Sequence, residues 1–294
     1  MTFLPFLSQS AHLILDGATG TELNRRGVDT GLPLWSANAL IKDRDAGILQ
    51  DIHEDYLRAG ADIISTNTFR THRRALAPSG NADRALALTR RAVDIARAAI
   101  ANVPSDRPRF VAGSISTLED CYRPDLVPTD DELRAEHSER IQHLVESGVD
   151  FILIETINTL REAMVIAELA AITGTPAIVS FVCNREGKIL SGETLTEAAG
   201  QLLPLGISAI GVNCGPTSCL AMPLAELRTA CGEDFPLIAY GNIGYADENV
   251  GWVNTDSENA SVYCEYASHW PAKIIGGCCG TTPDHIKQLA KAIK

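Results

Sequence analysis

The stretch Asp150-Phe151-Ile152-Leu153-Ile154-Glu155, with Thr159 and Glu162 shortly after it, decides the fold. Four consecutive apolar residues leave no polar face, the pattern of a strand covered on both sides in a parallel sheet. Thr159 and Glu162 have the spacing of a capping box, so a helix is predicted to open just beyond the strand. A parallel strand feeding a helix is the first half of a strand–helix–strand unit.

Working outward in both directions, comparable runs recur at 12–16, 61–66, 109–114, 176–182, 208–213, 236–240 and 273–276, which with 150–155 makes eight. Helical patterns separate them. Ile48, Ile52 and Tyr56 share a face ahead of Gly60, a C-cap glycine; Thr129 and Glu132 repeat the capping-box spacing; Thr282 and Pro283 open a last stripe of Ile286, Leu289 and Ile293. Eight strands alternating with helices predict an α/β fold, a (β/α)8 TIM barrel, as a single domain spanning 1–294. The alternative is a doubly wound open sheet, which the absence of Gly-x-Gly-x-x-Gly and Walker loops weakens. Residues 244–268, polar and dense in Asn, Asp and Glu, read as a surface insertion between strands seven and eight.

A chain of 294 residues with 45% hydrophobic content can bury a large core. Lys and Arg number 25 against 37 Asp and Glu, a net charge of −12, which argues against nucleic acid or an anionic membrane as partner and suits small molecules, cationic ones included. The N-terminus has no signal-peptide pattern and no apolar run approaches the roughly 20 residues of a membrane span, so a cytoplasmic protein with reduced thiols is expected, as a monomer or small homo-oligomer.

In a parallel barrel the active site forms at the C-terminal strand ends. Asp16, Thr66 and Asn67, Ser114, Glu155, Asn213 with Cys214, and Cys278 with Cys279 all fall at such ends. Cys278 and Cys279 in Gly276-Gly277-Cys278-Cys279-Gly280, with Cys214 in Gly211-Val212-Asn213-Cys214-Gly215, form a candidate three-thiolate zinc site with one open position. Cys121, Cys183, Cys219, Cys231 and Cys264 lack such company and read as structural. Asp16 precedes the small-residue loop Gly17-Ala18-Thr19-Gly20-Thr21, so Asp16 and Glu155 could grip an ammonium group and the loop amides a carboxylate: an amino-acid clamp.

Taken together, Asp16-Gly17-Ala18-Thr19-Gly20-Thr21-Glu22-Leu23, Thr66-Asn67-Thr68-Phe69, Glu155-Thr156, Gly211-Val212-Asn213-Cys214 and Gly276-Gly277-Cys278-Cys279 resemble the homocysteine S-methyltransferase family. That resemblance implies a zinc-dependent barrel enzyme that methylates homocysteine to methionine, with Cys214, Cys278 and Cys279 as zinc ligands. It also implies that Asp16, the Gly17, Ala18 and Thr19 backbone and Glu155 hold homocysteine, supported by Asn67 and Asn213. Zinc would lower the acceptor thiol's pKa, so no separate general base is required.

The donor is less constrained. A sulfonium donor such as S-methylmethionine or S-adenosylmethionine needs a cation pocket, which Trp35 could supply by cation-π attraction; Trp35, Phe69 and Arg70 are the candidate donor-pocket residues. Arg70 stands where betaine users place an aromatic, and Ser114-Ile115-Ser116-Thr117-Leu118 lacks the Gly-Pro-Tyr-Gly loop of S-methylmethionine users. The alternatives are betaine or another donor, another thiol or selenol acceptor, and, in a different class, a non-catalytic zinc or thiol redox sensor. A complete cobalamin-dependent methionine synthase is not expected, since the chain stops after the first module.

Overall fold

The computed structural model describes residues 2–247 and 251–294. Its main sheet is built from β1 (Leu13–Ile14), β2 (Ile63–Ser65), β3 (Phe110–Ile115), β4 (Phe151–Ile157), β5 (Ala177–Phe181), β6 (Ala209–Pro216) and β7 (Leu237–Asn242). After a hairpin of β8 (Gly244–Asp247) and β9 (Gly251–Asn254) comes the eighth barrel strand, β10 (Ile274–Gly277). The order is β1-β10-β7-β6-β5-β4-β3-β2, with every neighbouring pair parallel. A parallel bridge between Leu15 and Ile63 joins the two ends, with the Asp62 N–H on the Ile14 carbonyl at 2.8 Å. The sheet closes as a single-domain TIM barrel, with helices such as Asp43–Ala59, Ala85–Asn102, Asp130–Glu146 and Leu160–Thr173 packed around it.

Two apolar layers explain why the strand sequences do not alternate. On β4, Phe151 and Leu153 belong to the cluster inside the barrel, whereas Ile152 and Ile154 belong to the larger one between sheet and helices. Because side chains alternate with a period of two, the residue two steps beyond each inward apolar residue also faces inward. Those next positions include Ser65, Ser114, Glu155, Ser180 and Tyr240, joined on β6 by Asn213 beyond Gly211, a polar rung lying on the apolar core. At the opposite end the helix Phe3–Gln9 plugs the barrel: Phe3 stacks on Phe151 at 4.0 Å and meets Phe110 edge-on at 5.4 Å.

Gly60 has the left-handed φ of 112° expected of a C-cap, and Thr129 with Glu132 forms a full capping box. Thr159 accepts the Glu162 N–H, but the return half of that box is missing. Glu162 Oε1 is engaged elsewhere, by His137 Nε2 at 2.9 Å and the Leu118 N–H at 2.9 Å, because its side chain is buried between two helices.

The 244–268 segment divides in two. Residues 244–247 pair with 251–254 as an antiparallel hairpin, 248–250 lying outside the described residues. The helix Ala260–Ala267 is the seventh barrel helix, burying Ala260, Tyr263 and Ala267. The Tyr263 hydroxyl donates to the Gly276 carbonyl at 2.6 Å and receives the Gly241 N–H at 3.2 Å, fastening β7 to β10. A buried face of three residues is too narrow to register in so polar a stretch. Among the described residues no helix is long and apolar enough to cross a membrane.

At Gly211 an added Cβ would lie 1.7 Å from the Ile238 carbonyl oxygen on the neighbouring strand, so only glycine fits. Gly211→Ala is expected to destabilise the barrel by about 3 kcal/mol or more, since backbone must move. A urea midpoint within about 1 kcal/mol of the parent would contradict this close approach.

Candidate active site

Ser65, Ser114, Glu155 and Tyr240 of the inward polar rung line a cavity of about 370 Å³ at the C-terminal end of the barrel. The size suits a small-molecule site. Asp16, Gly17, Ala18, Thr19, Trp35, Asn67, Phe69, Arg70, Glu155, Cys214, Cys278 and Cys279 all line it. Ten of these twelve positions come from segments that follow β1, β2 and β10, and Glu155 and Cys214 from within β4 and β6.

The thiols converge. The three Sγ atoms of Cys214, Cys278 and Cys279 lie within 4.8 Å of one another, with Cys214 and Cys279 3.8 Å apart. A tetrahedral ion bound at about 2.3 Å by sulfur sets its ligands roughly 3.8 Å apart, the separation of Cys214 and Cys279, so the trio could hold a metal ion such as zinc. Hydrogen bonds from the Cys278 and Cys279 thiols hold Cys214 well below the usual thiol range and push their own affinities for protons up.

Backbone conformation delivers these side chains. Among the described residues only Trp35, Thr156 and Cys214 are non-glycine residues with left-handed φ, at 49°, 56° and 58°, and all three line the cavity. Register irregularities fall between Ile154 and Ile157 and between Asn213 and Pro216, so Thr156 and Cys214 each sit in a bulge that re-aims the chain at the site. Thr156, β-branched and costly in that conformation, is held by Asn213. The Asn213 carboxamide oxygen accepts the Thr156 N–H at 3.0 Å and its nitrogen donates to Thr156 Oγ1 at 2.7 Å. Asn213, expected among the substrate-binding residues in a supporting role, has its side chain engaged by Thr156 and Ser180 and does not line the cavity. Asn67 does line it, while donating to the Ser36 carbonyl at 2.8 Å and so fixing the loop that carries Trp35.

Asp16 is buried and Glu155 half-buried, and neither has a basic partner among the described residues. Burial pushes Asp16 well above the usual carboxylate range, against the Ser65 N–H at 2.9 Å and its hydroxyl at 3.0 Å, and the charge of Glu155 raises it further. Burial likewise pushes Glu155 up to about 7, against hydrogen bonds from the Ser114 and Tyr240 hydroxyls. Two such acids with no counter-charge make a receptor for a cation.

The Ala18 N–H, expected to be available to a ligand, donates to Thr281 Oγ1 at 3.1 Å, and the Tyr56 hydroxyl braces the Ala18 carbonyl at 2.9 Å. Trp35 and Phe69 pack edge-on at 5.5 Å. Several residues escaped the sequence reading. Tyr122 places its hydroxyl 3.1 Å from Cys214 Sγ although its ring is half-exposed, and no strand-end signal marks it. Cys121, grouped with the structural cysteines, lines the cavity. Asn242, which the strand-end rule could have found at the tip of β7, donates to the Cys214 carbonyl at 2.9 Å and accepts the Cys279 N–H at 3.0 Å.

Asn242 thereby locks two thiol-bearing segments together. Asn242→Ala is expected to weaken metal affinity about 10- to 100-fold while the fold persists, as loss of a partner behind a metal ligand does. Competition with a chromogenic chelator measures it; unchanged affinity would remove Asn242 from the site.

A model of the homocysteine S-methyltransferase family matches residues 13–293. Homocysteine S-methyltransferase 2 of Zea mays is 31% identical, the alignment covering 96% of this chain and 89% of that protein. Selenocysteine Se-methyltransferase of Brassica oleracea var. italica is 29% identical with the same coverage. The crystal structure of the homocysteine methyltransferase MmuM from Escherichia coli in its metallated form matches with a TM-score of 0.84 at 29% identity, over 98% of both chains. With the family match running across the whole barrel, this chain belongs to the homocysteine S-methyltransferase family, enzymes of methyl transfer to a thiol or selenol.

Proposed function

We propose that this enzyme transfers a methyl group from a small onium donor to the sulfur of L-homocysteine, giving L-methionine, with zinc held by Cys214, Cys278 and Cys279. The observation that carries this reading is the meeting of three thiols and two carboxylates without a basic partner in one cavity. Zinc, when bound, would supply the positive charge that keeps an acceptor thiol deprotonated at neutral pH. Asp16 and Glu155 take the homocysteine ammonium group, the cation their burial lacks. Its carboxylate is left to the Gly17 and Thr19 amides. The acceptor is thereby pinned at one end, with its side chain directed at the thiols, which is the orientation that in-line transfer needs. Trp35 and Phe69 offer ring surfaces to the donor cation. In the transfer the donor's onium–methyl bond breaks, its electron pair stays on the donor, and the acceptor sulfur forms the new bond to carbon.

The named relative acting on selenocysteine favours a second acceptor, a selenol one carbon shorter. The test is incubation of zinc-loaded protein with homocysteine or selenocysteine and a panel of S-methylmethionine, S-adenosylmethionine and betaine. Methylated product is read by mass spectrometry. Methionine from homocysteine with one of these donors is expected, and no product from any pair would sink the reading.

A further inference from the structure

Arg70 is a charge without a counter-ion. Arg73 and Arg74, on the short helix Arg73–Leu76 that follows, are saturated: Arg73 pairs with Asp83 and Glu139, and Arg74 with Glu119, Glu132 and Glu136. Arg70, half-buried and lining the cavity, makes one long contact, Nη1 to the Pro33 carbonyl at 3.4 Å, and no ion pair among the described residues. Behind it Arg140 is buried, and it too meets only carbonyls and a hydroxyl: Ser116 O at 2.6 Å, Phe69 O at 3.3 Å and Ser116 Oγ at 3.1 Å. In a chain of net charge −12, a guanidinium on the wall of the principal cavity that makes no ion pair, with a buried arginine behind it that makes none either, points to an anion brought by a ligand.

The position says which ligand. Glu155 lies on the polar rung and Asp16 is hydrogen-bonded to its Ser65, in the cavity that the thiols also line, whereas Arg70 follows Phe69, whose ring packs on Trp35 at the cavity wall. An aromatic pair beside an unpaired guanidinium presents one surface to a cation and another to a carboxylate. We propose that Arg70 binds a carboxylate of the methyl donor, so that the enzyme selects zwitterionic onium donors over plain onium cations. The inference rests on the methyl-transfer reading above and adds to it a residue that determines donor specificity.

The experiment compares S-methylmethionine with trimethylsulfonium, which keeps the reacting centre and lacks the carboxylate; betaine against tetramethylammonium serves if the donor is an ammonium. Steady-state kinetics of zinc-loaded parent, Arg70→Gln and Arg70→Lys are run at saturating homocysteine. The parent is expected to prefer the carboxylated donor in kcat/KM, and R70Q to shrink that preference about 10- to 100-fold through donor KM, the range of a lost charge-assisted hydrogen bond. R70K should recover part of it, and homocysteine KM should hold within about twofold. A preference that R70Q leaves intact, or a rise confined to homocysteine KM, would overturn the proposal. Calorimetric titration of S-methylmethionine, and of betaine, into parent and R70Q separates the two readings. Arg70-dependent binding without turnover upholds the carboxylate contact and removes the methyl-transfer reading. Equal binding to both proteins, or none to either, removes the contact.

Discussion

Cys279→Ser is expected to release the bound metal and to lower methyl transfer by roughly three orders of magnitude, the several kcal/mol that a metal's charge stabilisation supplies. The main-chain N–H of Cys279 is anchored on Asn242 and its sulfur stands 3.8 Å from Cys214, so the serine oxygen would occupy nearly the same place. Position is therefore preserved while chemistry changes. A hydroxyl stays protonated near neutral pH and is a harder ligand than a thiolate, leaving two soft donors where a closed tetrahedral shell needs more. Cys214→Ser and Cys278→Ser should behave alike. Cys264→Ser, on the outer helix Ala260–Ala267, should keep about one zinc per chain. Elemental analysis with turnover on the same samples decides, and full zinc content in all three site variants would refute the ligand set.

Glu155→Gln should make the ligand-free protein more stable and nearly inactive. Burial raises the Glu155 pKa to about 7 in the folded protein from an ordinary value near 4.5, so folding favours its protonated form. The sign follows. The stability from the protonated form is complete below the unfolded value, is lost as pH rises between about 4.5 and 7, and stays lost above that. At pH 8 the ionised carboxylate therefore costs the empty fold up to about 3 kcal/mol, a cost the neutral amide avoids. Denaturant midpoints should show E155Q ahead of the parent at pH 8 and close to it at pH 5. Homocysteine kcat/KM should meanwhile fall about 100-fold, because the ammonium loses a buried partner. The same titration predicts that homocysteine binding to the parent weakens as pH falls below about 7. An E155Q protein no more stable at pH 8, or with unchanged homocysteine KM, would contradict this account.

These two faces of the cavity were unequally visible in the sequence. All eight barrel strands coincide with apolar runs, because strands sandwiched between a filled interior and a helical layer cannot carry polar residues until they end. Cys214, Cys278 and Cys279 stood out through their glycine neighbours, and the structure explains those glycines: Gly211 faces the Ile238 carbonyl at too short a distance for any side chain. Asp16 and Glu155 were legible as strand ends. Tyr240 was not, since a tyrosine inside an apolar run reads as core until the strand's inward parity is known. Asn213 was legible as polar and terminal but not in its task, which depends on a left-handed Thr156 that no local pattern announces. Tyr122 and Cys121 reach the site from a loop whose path only the tertiary packing sets.

The closure of the sheet bears on how the enzyme is made. β1 pairs on one side with β10 and is bridged on the other to β2, so the first barrel strand to leave the ribosome waits for the last before its hydrogen-bonding edge is satisfied. Until then the nascent chain carries open strand edges, the kind of surface that invites aggregation and chaperone attention. Contacts of such long sequence separation also slow the final step. Cys278 and Cys279 arrive with that same strand, 65 residues after Cys214 in the case of Cys279, so ring closure and completion of the metal site are one event. A metal held by the three thiols would thus be captured only once the eighth barrel strand has been made, and without metal the barrel would close around an idle site.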